Sequence, residues 1–299
     1  MAEKEPESGT RLTAVEIHDN ILEPAEKEIE RPAAALLWSA LAAGLVIGFS
    51  FVASAFVSDL VSETHRKAAA AAAYPLGFIF VIMARSELFT ENTLVPVVPF
   101  LEHRDRDRFK KLVRIWALLL LGNMVGALIF GWALARTPMV EASLRPALDH
   151  MAIEATSGGF NRILYGGVFA GWLMALLAWL LGSTRSTGAQ IALIWLCTFP
   201  ISALGFPHSI AGAVEAFYLA AGGQASWVTM VSDFIVPAVL GNAIGGVLLV
   251  ALLNYGQVAA EKKQGGEGGK AGAGGSAAAE AQRRPGSAEE RKEVDLKPW

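Results

Sequence analysis

Long apolar runs separated by short charged segments dominate this chain. Ala33 to Val57 carries no charge and is long enough to cross roughly 30 Å of hydrocarbon as a helix. Leu112 to Leu134, Phe160 to Leu181 and Val228 to Leu253 are further runs of spanning length. Two more are interrupted. Ala68 to Ala84 stops at Arg85 and resumes from Glu91 to Leu101, with Pro96 and Pro99 near the end; Thr187 to Ala203 breaks at Leu204 to Ser209 and resumes to Ala221. Each interrupted run is too long for one crossing and too short for two. Unpaired amides in hydrocarbon cost several kcal/mol each, so irregular backbone at that depth must be shielded by protein or line a cavity. The pattern predicts an all-α membrane protein of six spans, the second and fifth broken, and two broken spans point to a pathway through the bilayer.

The halves of the chain also resemble each other. Leu121, Gly122, Asn123 and Gly126 in the third span match Leu240, Gly241, Asn242 and Gly245 in the sixth, 119 positions later. Small residues at spacing four are common helix-packing points on their own. The same offset relates Glu87 to Phe206 and Thr90 to Ser209 in the two breaks, which makes a repeat the better reading. Three spans followed by three place the halves in inverted orientation.

The ends are different in kind. Thr13 to Glu30 sets Val15, Ile17, Ile21 and Leu22 among acidic residues, an amphipathic helix lying on the membrane surface or against the bundle. Residues 1–31 are therefore a cytoplasmic N-terminal segment without a signal-peptide pattern, 32–254 the membrane domain, and 255–299 a Gly-, Ala-, Lys- and Glu-rich tail predicted to be disordered. The termini share their side with Arg31, Arg104, Arg106, Arg108, Lys110, Lys111, Arg185, Lys262 and Lys263, whereas the opposite loops hold only Arg66, Lys67, Arg136 and Arg145. That asymmetry places both termini in the cytoplasm of a multi-pass, bacterial-type inner membrane protein. A 53% hydrophobic composition agrees with the membrane class, and a net charge of −3 without a basic stripe gives no sign of nucleic-acid binding. Cys197 stands alone, which excludes an intrachain disulfide and suits a small packing residue.

Candidate chemistry gathers at the breaks. In a soluble core a lone histidine is usually a structural, hydrogen-bonded residue, but an ionisable group within a span is costly and generally faces a cavity, so His208 is read as functional. Gly205 and Pro207 before it can turn the backbone sharply. Thr90 reads either as an N-cap for the second half of its span or as a pore-lining hydroxyl, and the two are compatible. Arg85 with Glu87 or Glu91 reads first as an ion pair holding the loop; the alternative is that Glu87 and Glu91 are pore charges with a role in transport. Glu215 lies two turns beyond His208 on one helix face, so it either lines the same channel or packs against a polar group of a neighbouring subunit; Asp233 reads as a helix-dipole contact. No phosphate loop, dinucleotide fingerprint or metal-ligand cluster is present in the sequence, and no cofactor or enzymatic activity is indicated.

With these residues in hand, the chain resembles the formate/nitrite transporter family from about Ala33 to Leu253. The resemblance rests on Glu87, Leu88, Phe89 and Thr90 with Asn92 and Thr93, on Gly122, Asn123, Gly126 and Ala127, on Gly205, Phe206, His208, Ser209, Ile210 and Ala211, on Pro237, Gly241, Asn242, Gly245 and Gly246, and on Trp172, Leu173, Leu176 and Trp179. It implies an aquaporin-like protomer, a homopentamer in the lipid bilayer with a pore in each protomer, and passage of small monovalent anions or their weak acids together with protons. On that pattern His208 is the central pore histidine and Thr90 its hydroxyl partner. Tyr74 and Phe78 fall at a cytoplasmic apolar constriction and Ile201 at the periplasmic one. The sequence departs from the family at Gly171 and Gly212, where asparagines are usual, at Pro207, where an acidic residue is common, and near Ala155, where a vestibule lysine is expected and Glu154 is adjacent. Those departures leave open a pore for a small neutral solute, and a membrane scaffold working through its tail is the third reading.

Overall fold

The computed structural model describes residues 11–263. A capping box opens α1, Ala14–Ile29: Thr13 Oγ1 accepts from the Glu16 amide at 3.2 Å, and the Glu16 carboxylate accepts from the Thr13 amide at 2.7 Å. The inward face of α1 buries His18, Ile21, Ala25 and Ile29. Apolar helices α2 (Ala33–Asp59) and α3 (Glu63–Met83) follow. After the first break come α4 (Val97–His103), α5 (Arg106–Arg136), α6 (Arg145–Thr156) and α7 (Gly159–Leu181). The second break separates α8 (Thr187–Ala203) from α9 (Ser209–Gly222), and α10 (Trp227–Gly246) follows. Among the described residues, α2, α3, α5, α7 and α10 are each long and apolar enough to cross a membrane. Large apolar side chains such as Trp38, 72% exposed, and Phe56, 53% exposed, point outward from these helices, as a lipid-facing surface requires.

Helix pairs α2 with α5 and α7 with α10 make the most extensive contacts in the unit that runs to Val258. The glycines predicted for packing sit at these seams, Gly122 and Gly126 against α2, Gly241 and Gly245 against α7. Gly171 is the residue on α7 that meets the backbone of Asn242, as Gly44 on α2 meets the backbone of Asn123, and a Cβ on either would overlap its neighbour. An asparagine at 171 therefore has no room here, which accounts for that departure from the family pattern.

Both breaks form where predicted, and their geometry repeats. The Arg85 amide bonds the Ile82 carbonyl at 3.1 Å and the Ser86 amide the Val81 carbonyl at 3.0 Å; Gly205 to Ser202 at 3.1 Å and Phe206 to Ile201 at 2.8 Å reproduce the pair. This is the Schellman ending, with its left-handed residue supplied by Arg85 (φ 58°) and by Gly205 (φ 67°). The offset here is 120 positions rather than the 119 that relates Asn123 to Asn242. Hence Ser86, not Glu87, is the counterpart of Phe206, and Thr90 is the counterpart of Ile210 rather than Ser209. The connection between break and asparagine is one residue shorter in the second half.

Three boundaries also differ from the sequence reading. The chain does not resume as an α-helix at Glu91: a 3-10 turn covers Glu91–Thr93, and α4 starts only at Val97. Pro96 caps α4 and Pro99 falls in its first turn, where a missing amide is harmless, so these prolines begin the helix rather than end it. The long connection after α5 folds into α6. The last span, with π-helical turns at Met230–Ile235 and Val247–Ala251, does not stop at Leu253 but remains helical through 263. Val258 is fully buried in a cluster with Ile21, Val97 and Leu101, which explains the extra turns. The tail from 264 onward lies outside the described residues.

Candidate functional site

His208 begins α9 and caps it with its own ring. Nδ1 accepts from the Ala211 amide at 3.1 Å. An amide N–H can only donate, so the ring proton of the neutral imidazole sits on Nε2. Nε2 lies 2.8 Å from Thr90 Oγ1, and in this tautomer it donates to that oxygen. The Thr90 hydroxyl caps no helix, contrary to one of its two sequence readings; the cap belongs to His208. Because the hydroxyl accepts in this contact, its own proton remains for a third group; Thr93 Oγ1 donates to the Thr90 carbonyl at 2.8 Å. The two side chains are 2% and 0% exposed and come from opposite breaks. Phe78 meets the imidazole edge-on, with ring centroids 4.9 Å apart.

Two asparagines hold the breaks in place. Asn123 accepts from the Phe89 amide at 2.8 Å and donates to the carbonyls of Ala40 and Glu87 at 2.7 and 2.9 Å. Asn242 does the same with the Ser209 amide at 2.8 Å and the carbonyls of Gly167 and Pro207 at 2.8 and 3.0 Å. Sequence reasoning read both as helix-packing residues; they are buried clamps that tie the unpaired backbone groups of each break to a carbonyl of a neighbouring helix, Ala40 on α2 and Gly167 on α7.

A cavity of about 460 Å³ reaches His208 and is lined by Tyr74, Ile201, Phe206, Glu215 and Phe234. Exposed Arg66, Lys67, His150 and Arg162 border the same cavity. Tyr74 and Ile201 were expected on opposite sides of the membrane, and the structure corrects this: both line one cavity with residues of the 58–67 loop and α6. Counting back from the first break runs toward the α2–α3 loop, not toward the charged loop after α4. Phe206 stacks on Phe169 at 5.2 Å, and Leu88 and Phe89 are buried beside Thr90, with the Phe89 ring 6.2 Å from Trp116. Glu215, 6% exposed, does line the cavity with His208.

The ion pair read for Arg85 is not formed. Glu87 is held instead by Arg31 at 2.7 Å and by Asn92 Nδ2 at 2.9 Å, while Arg31 also binds Glu28 at 2.8 Å. Burial, and then the neighbouring Glu87, raise the Glu28 carboxyl above the usual carboxylate range. Arg85 is exposed and Glu91 half-buried. Of the other departures, Gly212 has a local cause. A Cβ at Gly212 would overlap the Phe234 ring, whereas nothing in the structure explains the proline at 207. Ala155 and Glu154 line the cavity, as does Arg162, which the sequence reading passed over although it is a lone charge near the start of an apolar run.

Apolar helices of membrane length around a histidine-bearing break define a multi-pass membrane transport protein. The sequence profile of the formate/nitrite transporter family matches residues 15–256, and the chain belongs to that family, whose members are transporters and channels rather than enzymes. It is 34% identical over 246 residues to the inner membrane protein YfdC of Escherichia coli strain K12, covering 82% of this chain and 79% of the relative. Among solved structures it is similar to an FNT family ion channel, with a TM-score of 0.68 at 21% identity, covering 81% of this chain and 97% of that one. A pentameric formate channel with formate bound gives a TM-score of 0.62 at 23% identity, covering 75% and 96%.

Proposed function

We propose that this protein conducts small monovalent anions or their weak acids, in the manner of formate or nitrite, through a pore in each protomer, with a proton accompanying each anion. The buried Thr90–His208 contact at the inner end of the cavity carries the reading. Six spans form two inverted halves, aquaporin-like in plan; the paired Schellman breaks and asparagine clamps support that layout. Tyr74, Phe78, Ile201 and Phe206 narrow the path on the cavity side, and Leu88 and Phe89 narrow it beyond Thr90. The protein assembles as a homopentamer in a bacterial-type inner membrane with both termini cytoplasmic. Support comes from the description of one structural neighbour as a pentameric formate channel, the name of the Escherichia coli relative, and the loop charges.

Energetics favour passage in neutral form. A bare anion entering an apolar constriction faces an idealised cost of order 20 kcal/mol, and several kcal/mol after relaxation. Protonating an acid of pKa about 4 at pH 7 costs roughly 4 kcal/mol. In this mechanism Nε2 of His208 and the Thr90 hydroxyl bind the permeant at mid-membrane while apolar residues on both sides exclude water. The test is His208→Asn in proteoliposomes, a substitution that retains an N-cap for α9. Formate flux is expected to fall at least about tenfold and its pH dependence to flatten; unchanged flux with an unchanged pH profile would overturn the assignment. Glu154 and Glu215 in the cavity favour a second reading, a pore for a small neutral solute, which flux indifferent to membrane potential and to acid pKa would support.

A further inference from the structure

We infer that Glu215 is the proton donor of the vestibule, protonating the weak-acid anion before it reaches His208. The inference rests on the pore reading above and assigns a separate residue a separate step. Glu215 is 94% buried, yet its carboxyl makes no hydrogen bond or ion pair among the described residues and lines the cavity that ends at His208. The cost of an unpaired carboxylate at such depth selects against it unless the group has work to do. Seven positions separate it from His208, two turns along one face of α9, or about 10 Å of rise.

The surroundings sort by charge. Tyr74 of α3 and Glu154 of α6 are the groups that act on Glu215 electrostatically or are acted on by it, and neither offers a cation. The cationic side chains Arg66, Lys67 and Arg162 are exposed at the open part of the cavity, with His150, Asp59 and Glu63 among them. On α9 itself the Tyr218 hydroxyl donates to Asp149 of α6 at 2.6 Å, so Asp149 is engaged elsewhere. From α10, Asp233 is exposed and bonded to Ser232. Helix α5 packs along α9 without a titratable side chain between Arg114 and Arg136. An anion is thus drawn past exposed cations and then meets a carboxyl that is cheaper neutral than charged.

The step is a single proton transfer. The O–H bond of the Glu215 carboxyl breaks and its electron pair stays on Glu215; a new O–H bond forms on the anion, and the neutral acid moves on to Thr90 and His208. Water at the open end of the cavity returns a proton to the carboxylate, and outward movement of the acid reverses the sequence. Nothing is oxidised or reduced.

Proteoliposomes holding the full chain, assayed with radiolabelled formate and a trapped pH dye from pH 5 to 8, test the idea. Glu215→Gln keeps shape and polarity but cannot exchange a proton. At pH 7.5 formate uptake and the accompanying acidification should both fall by about tenfold or more, with a much smaller loss at pH 5, where the neutral fraction of an acid of pKa about 4 is roughly 300-fold larger than at pH 7.5; Glu215→Asp should recover most of the flux. Equal fractional loss at every pH, or wild-type flux in Glu215→Gln, would overturn the assignment. Absence of formate flux in the wild-type protein would overturn the pore reading first and this step with it, a distinguishable result.

Discussion

At Met83 and at Ala203 the chain leaves its helix through the same pair of backward hydrogen bonds, turns through a left-handed residue and is caught by an asparagine from a later span. From there the two breaks diverge. The second passes through Pro207 into α9 at once, so its functional side chain, His208, is also the helix cap and its ring is fixed by the helix it starts. The first wanders through a 3-10 turn before α4, ties its loop to α1 through Arg31 and Glu87, and offers a hydroxyl whose side-chain partner among the described residues is the imidazole opposite. One backbone frame therefore serves two purposes: a rigidly held imidazole N–H on one side and, on the other, a hydroxyl linked to the face of the protein that carries α1.

The largest effect expected is loss of a clamp. Asn242→Leu removes the partner of two backbone groups of the second break, the Ser209 amide and the Pro207 carbonyl, and at about 1–3 kcal/mol for each orphaned group should lower stability by about 2 kcal/mol or more; Asn123→Leu should match it at the first. Thermal unfolding of the purified protein in detergent measures both, and a clear disparity would show that the two frames are not energetically alike. Gly171→Asn, which restores the residue usual in the family, should cost about 1–3 kcal/mol in the same assay, because α7 and α10 must part. An innocuous substitution there would contradict the close approach to the Asn242 backbone. The smallest effect separates the two left-handed residues. Gly205→Arg should destabilise by about 1 kcal/mol, whereas Arg85→Gly should stabilise by about 0.5 kcal/mol after the added chain entropy of glycine is set against the relieved strain.

The positions of the breaks were legible because charge at Arg85 to Glu91 and the Gly205, Pro207, His208 sequence interrupt apolar runs in which nothing else does. That Thr90 and His208 meet was legible only through the resemblance, since residues 118 positions apart leave no periodicity to link them. The partner of Glu87 was misread for a related reason: Arg85 is near in sequence, but the left-handed turn carries it to the surface, and Arg31, 56 positions away, takes the place. The one-residue shift in the repeat was hidden as well, because the eye aligns on Gly and Asn and cannot see that the connection between break and clamp is shorter in the second half. Glu215 was visible as a charge out of place, but whether it faced a cavity or a neighbour depends on the rotation of α9, which a helix uniformly buried from Ser209 to Ala221 does not reveal in its pattern.

What most directly tests the central claim, that imidazole and hydroxyl from opposite breaks act as one site on the permeant, is a double-mutant cycle on formate flux in proteoliposomes with Thr90→Val, His208→Asn and the pair. If the two groups work as a unit, the double variant will be little worse than His208→Asn alone, leaving the combined loss about tenfold short of the product of the single losses, a coupling of ~1.4 kcal/mol. Losses that simply multiply would contradict the account.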